Sequence, residues 1–171
     1  MQRLKHEHNV RCLIRAVPRG PDAVRELLQE QPDLLRAKTS GMGESALHHL
    51  AIENALSAVR TLAAAGADVN CQDSSGGTPL MAAAQLYLVD MVALLLELGA
   101  DPRAKNEDSD TALHFASRRG AERIVDLLIQ AGADIHARND LGESILDLAL
   151  PRKRSEIVRI LSRHGIEERA V

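Results

Sequence analysis

The side chains that could bind a metal or act as nucleophiles are seven histidines and two cysteines. His6 and His8 lie two residues apart, a spacing that does not place two side chains on one face of a helix. Neither Cys12 nor Cys71 belongs to a CxxC pair, and two cysteines are too few for a disulfide framework. We therefore expect no metal site, no cofactor and two reduced thiols, as in a cytosolic protein.

Motifs that position catalytic groups are also missing from the sequence. It contains no nucleophile elbow, no Walker-type phosphate loop and no HExxH helix. Gly76 and Gly77 form a short glycine run, which we interpret as a turn and not as a phosphate cradle. The sequence therefore predicts that this protein is not an enzyme.

The net charge of −3 is distributed unevenly along the chain. Residues 1–40 carry eight Lys or Arg against five Asp or Glu, and residues 151–171 carry six against three, so the centre is acidic. A nucleic-acid backbone needs a basic stripe, so the acidic centre argues against nucleic-acid binding there. It is compatible with a protein partner that presents a basic surface.

Two segments bear on the location of the protein. The first ten residues are polar and lack the apolar core of a signal peptide, so we expect a cytoplasmic or, in a eukaryote, nuclear protein that is not secreted. Residues 79–100 approach a membrane-spanning length, but Gln85, Asp90 and Glu97 interrupt them. A turn near residues 87–89 predicts two buried helices there, and we expect no membrane contact.

A unit that repeats every 33 residues accounts for most of the chain. Each copy begins with a 22-residue segment that opens on Ser or Thr and closes on Gly. The segments are SALHHLAIENALSAVRTLAAAG, TPLMAAAQLYLVDMVALLLELG, TALHFASRRGAERIVDLLIQAG and SILDLALPRKRSEIVRILSRHG, which open at Ser45, Thr78, Thr111 and Ser144. A fixed period of this length is typical of a solenoid, whose stacked units present a long surface.

The local chemistry of each unit favours two helices. The opening hydroxyl can accept a hydrogen bond from the first helical turn, and the closing glycine supplies the positive φ that ends a helix. A leucine two positions after the opening residue begins a buried stripe, at Leu47, Leu80, Leu113 and Leu146. In the second half of the unit, apolar residues recur at helical spacing.

Three segments continue into a Gly-Ala-Asp tail, at 66–68, 99–101 and 132–134. Together with the Thr-Pro-Leu-like opening, this pattern resembles the ankyrin repeat over residues 40–165. The resemblance implies an all-α solenoid of stacked antiparallel helix pairs with β-hairpin-like finger loops. It divides the chain into about five units, namely an N-terminal cap (1–39), three full repeats (40–72, 73–105 and 106–138) and a C-terminal cap with a short tail (139–171).

The N-terminal cap is a degenerate repeat. We predict a first helix over 12–17, a break at Gly20, a second helix over 23–30 and a stop at Pro32.

The resemblance also assigns roles to residues that look reactive. His48 and His114 occupy the position whose histidine makes a structural hydrogen bond to the loop between repeats. Asn70 and His136 occupy the tail position that an oxygenase hydroxylates in some ankyrin repeats, so both are candidate modification sites.

In proteins with this repeat, the finger tips and the exposed ends of the first helices form a concave recognition surface. The resemblance implies the same role for the matching positions in this chain. These positions are Ile52, Glu53, Gln85, Leu86, Tyr87, Glu107, Asp108, Asp110, Arg118, Arg119, Asp140, Glu143 and Arg152.

The charged members of this set leave two interpretations open. The five carboxylates on the last two fingers form either a solvated acidic edge or a docking face for Lys or Arg of a partner. Arg118 and Arg119, with Arg152, either complement the dipoles of their helices or form a second subsite for acidic groups. Together they predict a partner of basic or mixed charge.

Leu86 and Tyr87 stand where the repeat prefers a polar residue and a glycine. The residues equivalent to Tyr87 are Asn54 and Gly120, which tolerate the left-handed backbone, whereas a Tyr there is strained or forces a different turn. Tyr87 is therefore either a binding hot spot or a residue that packs on the neighbouring helix pair.

The sequence as a whole predicts a non-catalytic protein–protein interaction module, acting as an adaptor, an inhibitor or an assembly subunit. One alternative is a regulator that contacts nucleic acid through its basic terminal repeats. Others are a metal-dependent or enzyme accessory protein, and self-association through the apolar patch at Leu86 and Tyr87.

Overall fold

The computed structural model of the protein describes residues 2–149 and 155–165. Regular structure in these residues is helical, and β-structure is limited to two isolated bridges, Lys38 with Ser45 and Arg138 with Ser144. The helices are α1 (Gln2–Ala16), α2 (Pro21–Glu30), α3 (Ala46–Ile52), α4 (Leu56–Ala64), α5 (Pro79–Gln85), α6 (Val89–Glu97), α7 (Ala112–Arg119), α8 (Glu122–Gln130), α9 (Ile145–Ala149) and α10 (Ser155–Arg163). Short 3₁₀ turns follow α1 (Val17–Arg19) and α2 (Pro32–Arg36).

Two parallel rows of helices build the solenoid. The first helix of each pair packs on the first helix of the next, so that α1, α3, α5, α7 and α9 form one row. The second helices α2, α4, α6, α8 and α10 form the other row. The all-α solenoid of stacked helix pairs predicted from the sequence is confirmed. The boundaries proposed for the individual units stay a prediction.

Leucines and small residues close the space between the rows. Leu47, Leu80 and Leu113 are buried, as the stripe predicts, and Ala83 and Ala84 have no exposed surface. Such small side chains let the backbones of neighbouring first helices approach closely. Leu146 differs, because it remains half-buried while Ile145 beside it is fully buried.

The opening residues cap the first helices in two ways. The Ser45 Oγ accepts a hydrogen bond from the His48 backbone N–H at 3.4 Å, and the Thr78 Oγ1 accepts one from the Met81 N–H at 3.3 Å. In the last unit Asp147 replaces the usual histidine, and its carboxylate accepts from both the hydroxyl and the N–H of Ser144. The Ser144 side-chain and backbone hydrogen bonds lower the pKa of Asp147.

The helix predicted over residues 12–17 of the N-terminal cap is wrong in its extent. Helix α1 begins at Gln2, because no glycine or proline interrupts the sequence before Pro18, which ends it. Gly20 breaks the chain at φ 100°, as expected. Helix α2 then begins at Pro21 instead of residue 23, because a proline is well tolerated in the first helical turn.

Candidate protein-binding surface

Backbone hydrogen bonds tie each finger tip to the next. The Ser74 N–H donates to the Met42 carbonyl at 2.8 Å, and the Glu107 N–H donates to the Ser75 carbonyl at 2.9 Å. The last link runs from the Asp140 N–H to the Asp108 carbonyl at 3.0 Å. The four fingers therefore form one continuous edge of the solenoid.

Within each of the last three fingers, a side chain folds the tip by accepting backbone N–H groups. Asp73 accepts from Ser75 and Gly77, each at 2.8 Å. In the third finger Asn106 accepts from two backbone N–H groups, and in the fourth Asn139 accepts from the Glu143 N–H. Because these turns are closed internally, the tips hold their side chains in a defined arrangement.

Only part of the predicted acidic edge is exposed. Glu107, Asp108 and Asp140 are exposed, and within the described part of the chain their side chains make no ion pair. The expectation of five exposed tip carboxylates is wrong for Asp110, which retains 6% of its surface. Glu143 is half-buried and also has partners inside the protein.

Arg118 and Asn139 cover these two carboxylates. The guanidinium of Arg118 lies 3.2 Å from Asp110 and 3.7 Å from Glu143, and it sits 5.7 Å from the ring centre of Phe115. The Asn139 amide donates to Asp110 at 3.1 Å and to Glu143 at 2.8 Å. We call Arg118, Asp110, Asn139 and Glu143 the clamp, because they join the third repeat to the C-terminal unit.

The clamp distinguishes Arg118 from Arg119, although the sequence predicts the same role for both. Arg118 is committed to the clamp, so its expected place in an open cationic subsite is wrong. Arg119 is exposed and makes no ion pair among the described residues. Arg152 lies outside the described residues.

An apolar centre lies on the exposed ends of the first helices. Ile52, Leu86 and Tyr87 keep 39%, 46% and 51% of their surface exposed. Glu53 and Gln85 beside them are also exposed. Leu86 is separated from Glu53 by 33 residues, and α3 packs on α5, so these positions adjoin in successive repeats.

Tyr87 adopts the left-handed backbone that its position demands. Its φ is 68°, compared with 56° at Asn54 and 76° at Gly120. The Tyr87 hydroxyl donates a hydrogen bond to the Gly120 carbonyl of the next repeat. Tyr87 thus contacts the neighbouring helix pair and still exposes half of its surface, so both interpretations of this residue have a structural basis.

One group of described side chains, Ser45, His48 and Cys71, resembles a nucleophilic site in its residue types. The Ser45 Oγ lies 3.0 Å from the Cys71 Sγ and 2.9 Å from the His48 Nδ1. Burial lowers the pKa of His48 and raises the pKa of Cys71, so both side chains favour their neutral forms. This environment disfavours the thiolate that a cysteine nucleophile requires.

His48 makes the structural hydrogen bond to the inter-repeat loop that the resemblance implies for both histidines. The Ser45 N–H donates to the His48 Nδ1, which leaves Nε2 to donate to the Gly77 carbonyl at 3.0 Å. His114 also accepts from the N–H of its opening residue, Thr111, but its buried Nε2 has no hydrogen-bond partner within the described chain. The Glu143 carbonyl, equivalent to that of Gly77, does not reach hydrogen-bonding geometry, although it opposes the burial that lowers the pKa of His114.

The two candidate modification sites differ in their contacts. Both Asn70 and His136 are exposed. The Asn70 amide donates to the Gly99 carbonyl at 3.2 Å and accepts from the Asp101 N–H at 2.7 Å, so it bridges two repeats. Hydroxylation of either residue stays a prediction.

Neither a metal centre nor a membrane span is found among the described residues. No group of three or more His, Cys, Asp and Glu side chains in them could hold a metal ion. None of their helices is long and apolar enough to cross a membrane.

Stacked helix pairs with linked finger loops define a helical-repeat solenoid. A sequence model of three ankyrin repeats matches residues 13–106 and again residues 98–170. The chain therefore belongs to the ankyrin repeat family, which confirms the resemblance seen in its sequence. Ankyrin repeats are generally protein–protein interaction modules and typically have no enzymatic activity. A comparison with curated proteins gave no match.

Proposed function

We propose that this protein is a non-catalytic interaction module that binds a partner protein stoichiometrically on its concave surface, as an adaptor, an inhibitor or an assembly subunit. The binding residues would be the apolar centre of Ile52, Leu86 and Tyr87, the polar helix-end residues Glu53, Gln85 and Arg119, and the exposed tip residues Glu107, Asp108 and Asp140. The proposal places the protein in the cytoplasm or nucleus, in keeping with its two free cysteines.

The apolar centre is the observation that carries this proposal. Three large apolar side chains are exposed here, and two of them, Leu86 and Tyr87, stand where the repeat prefers a polar residue and a glycine. Tyr87 in particular keeps a left-handed backbone that disfavours a residue with a large side chain. A sequence that departs from local preference at an exposed position is typical of a functional site. Tyr is also one of the residue types enriched among the hot spots of protein interfaces.

Paired substitutions test this proposal. Leu86→Glu places a charge in the apolar centre, and Ala93→Glu places the same charge on an exposed position of α6 in the same repeat. Proteins captured by the wild type and by each variant from the source cells would be quantified by mass spectrometry. Each candidate would then be purified and its affinity measured by calorimetry. We expect a partner whose binding is lost with Leu86→Glu and kept with Ala93→Glu; equal effects of the two substitutions would refute the proposal.

A further inference from the structure

A pocket of about 480 Å³ opens between α1 and the first finger. Val10 and Ile14 of α1 and the exposed Met42 of the finger tip give it an apolar wall. Glu44 and Glu53 give it an acidic wall. Its volume lies in the range of about 300–1,000 Å³ that is usual for ligand pockets. The pocket depends on α1, whose N-terminal extension the repeat pattern did not predict.

The two carboxylates of the pocket are held differently. The Glu44 carboxylate lies 3.3 Å from the Nε2 of His49, and the Glu44 N–H donates to the Thr39 hydroxyl at 3.0 Å. Glu53 follows the end of α3, is exposed and makes no ion pair within the described residues. Arg11 also lines the pocket and is exposed, so the two carboxylates face one permanent cation.

One lining residue of the pocket belongs to the same row of helix ends as the apolar centre. Glu53 directly follows Ile52 and occupies the repeat position equivalent to Leu86, 33 residues later. Beyond Tyr87, the third and fourth finger tips present exposed carboxylates such as Asp108. The pocket lining holds two carboxylates against one permanent cation, and the tips of the third and fourth fingers add further exposed carboxylates.

We infer that the partner inserts a Lys or Arg side chain into this pocket and places a neighbouring apolar side chain on Leu86 and Tyr87. The inference rests on the proposed function and specifies the partner's chemistry. A Lys or Arg stem can pack on apolar residues such as Met42 while its charged head reaches Glu44 and Glu53. An acidic partner side chain would meet the same carboxylates and be repelled. Cations further along the partner segment would face the tip carboxylates.

Peptide selection tests this inference and requires no identified partner. A random library of 12-residue peptides would be selected on the wild-type chain. Affinities of the enriched peptides would then be measured by fluorescence polarisation for the wild type, Leu86→Glu and Glu53→Lys. Asp126→Lys is the matched control, because it makes the same change of charge on an exposed position of α8.

We expect enriched peptides to carry a Lys or Arg beside an apolar residue. Leu86→Glu and Glu53→Lys should each weaken binding about tenfold, equivalent to 1.4 kcal/mol, whereas Asp126→Lys should leave it unchanged. When the basic residue of the peptide is replaced by Ala, Glu53→Lys should no longer change the affinity. This comparison isolates the coupling between Glu53 and the basic residue.

The outcomes distinguish the inference from the function on which it rests. Peptides that lose affinity with Leu86→Glu but tolerate Glu53→Lys, or that are acidic, would overturn the inference and leave the proposed function intact. The absence of any enriched peptide that is sensitive to Leu86→Glu would overturn both.

Discussion

Replacing Arg118 by Ala should destabilise the protein, whereas the same change at Arg119 should not. Arg118 is the cation of the clamp, and its removal leaves the Asp110 carboxylate, with 6% of its surface exposed, without an opposite charge. The Asn139 amide would remain 3.1 Å from that carboxylate and satisfy one of its hydrogen bonds. Arg119 provides a control of the same residue type in the next position.

The size of the destabilisation depends on how deeply the ion pair of Arg118 and Asp110 is buried. Breaking a fully buried pair costs roughly 3–5 kcal/mol, and an exposed pair is worth about 0.2–1 kcal/mol. The Arg118 side chain is 36% exposed while Asp110 is buried, so the clamp lies between these limits. We expect the free energy of unfolding to fall by about 2 kcal/mol for Arg118→Ala and by less than about 0.5 kcal/mol for Arg119→Ala.

Urea denaturation followed by circular dichroism at neutral pH would measure both changes. The slope of the unfolding free energy against urea concentration must be the same in the wild type and the variants, because only then does a shifted midpoint report a change in stability. Asp110→Asn in the Arg118→Ala background removes the buried charge and should restore about 1 kcal/mol. If Arg118→Ala and Arg119→Ala unfold at the same urea concentration, the clamp does not stabilise the native state as described.

Three further results are expected. Tyr87→Phe removes the donor to the Gly120 carbonyl and should lower the free energy of unfolding by about 1 kcal/mol in urea; an unchanged midpoint would show that the bond adds nothing. Burial lowers the pKa of His48, so the stability that its neutral form contributes is present above the unfolded pKa of 6.5 and is lost as the pH falls. In urea titrations between about pH 7.5 and 5, His48→Gln should therefore lose less stability than the wild type, and an equal loss in both proteins would contradict the reasoning. Burial raises the pKa of Cys71, which lowers the fraction of reactive thiolate in the folded protein. In a Cys12→Ser variant, the Cys71 thiol should therefore react more slowly with a disulfide reagent in the folded protein than in the unfolded chain, and equal rates would refute this.

Most of the fold could be predicted from the repeat, because its period and its capping residues mark the helix positions in the local sequence. The positive φ of Tyr87 could be expected from the equivalent Asn54 and Gly120, which are suited to that backbone. The hydrogen bond from His48 to Gly77 could be expected from the histidine's place in the repeat.

The clamp could not be predicted from the same pattern. Asp110 is eight residues from Arg118 and 29 from Asn139, and its burial depends on how these side chains meet across two units. The charge of Asp110 alone suggested that its side chain is exposed at the finger tip. The only signal was that Asp110 and Arg118 carry opposite charges on the same repeat, which does not distinguish an internal pair from two binding residues.

The length of α1 was missed for a different reason. The prediction followed the length of a repeat helix, whereas local propensity favoured continuing the helix through a segment without glycine or proline. This error also concealed part of the pocket, because Val10 and Arg11 line it from the portion of α1 that precedes residue 12. His114 shows the limit of assigning roles by position, since the loop at Glu143 leaves its Nε2 without the partner that Gly77 gives His48.

Amide hydrogen exchange with and without a saturating partner or selected peptide would show which face of the solenoid binds. Binding on the concave surface should slow exchange in the finger tips and at the C-terminal ends of α3, α5 and α7, with little change in the central turns of α4, α6 and α8. Protection confined to α4, α6 and α8 would contradict binding on the concave surface.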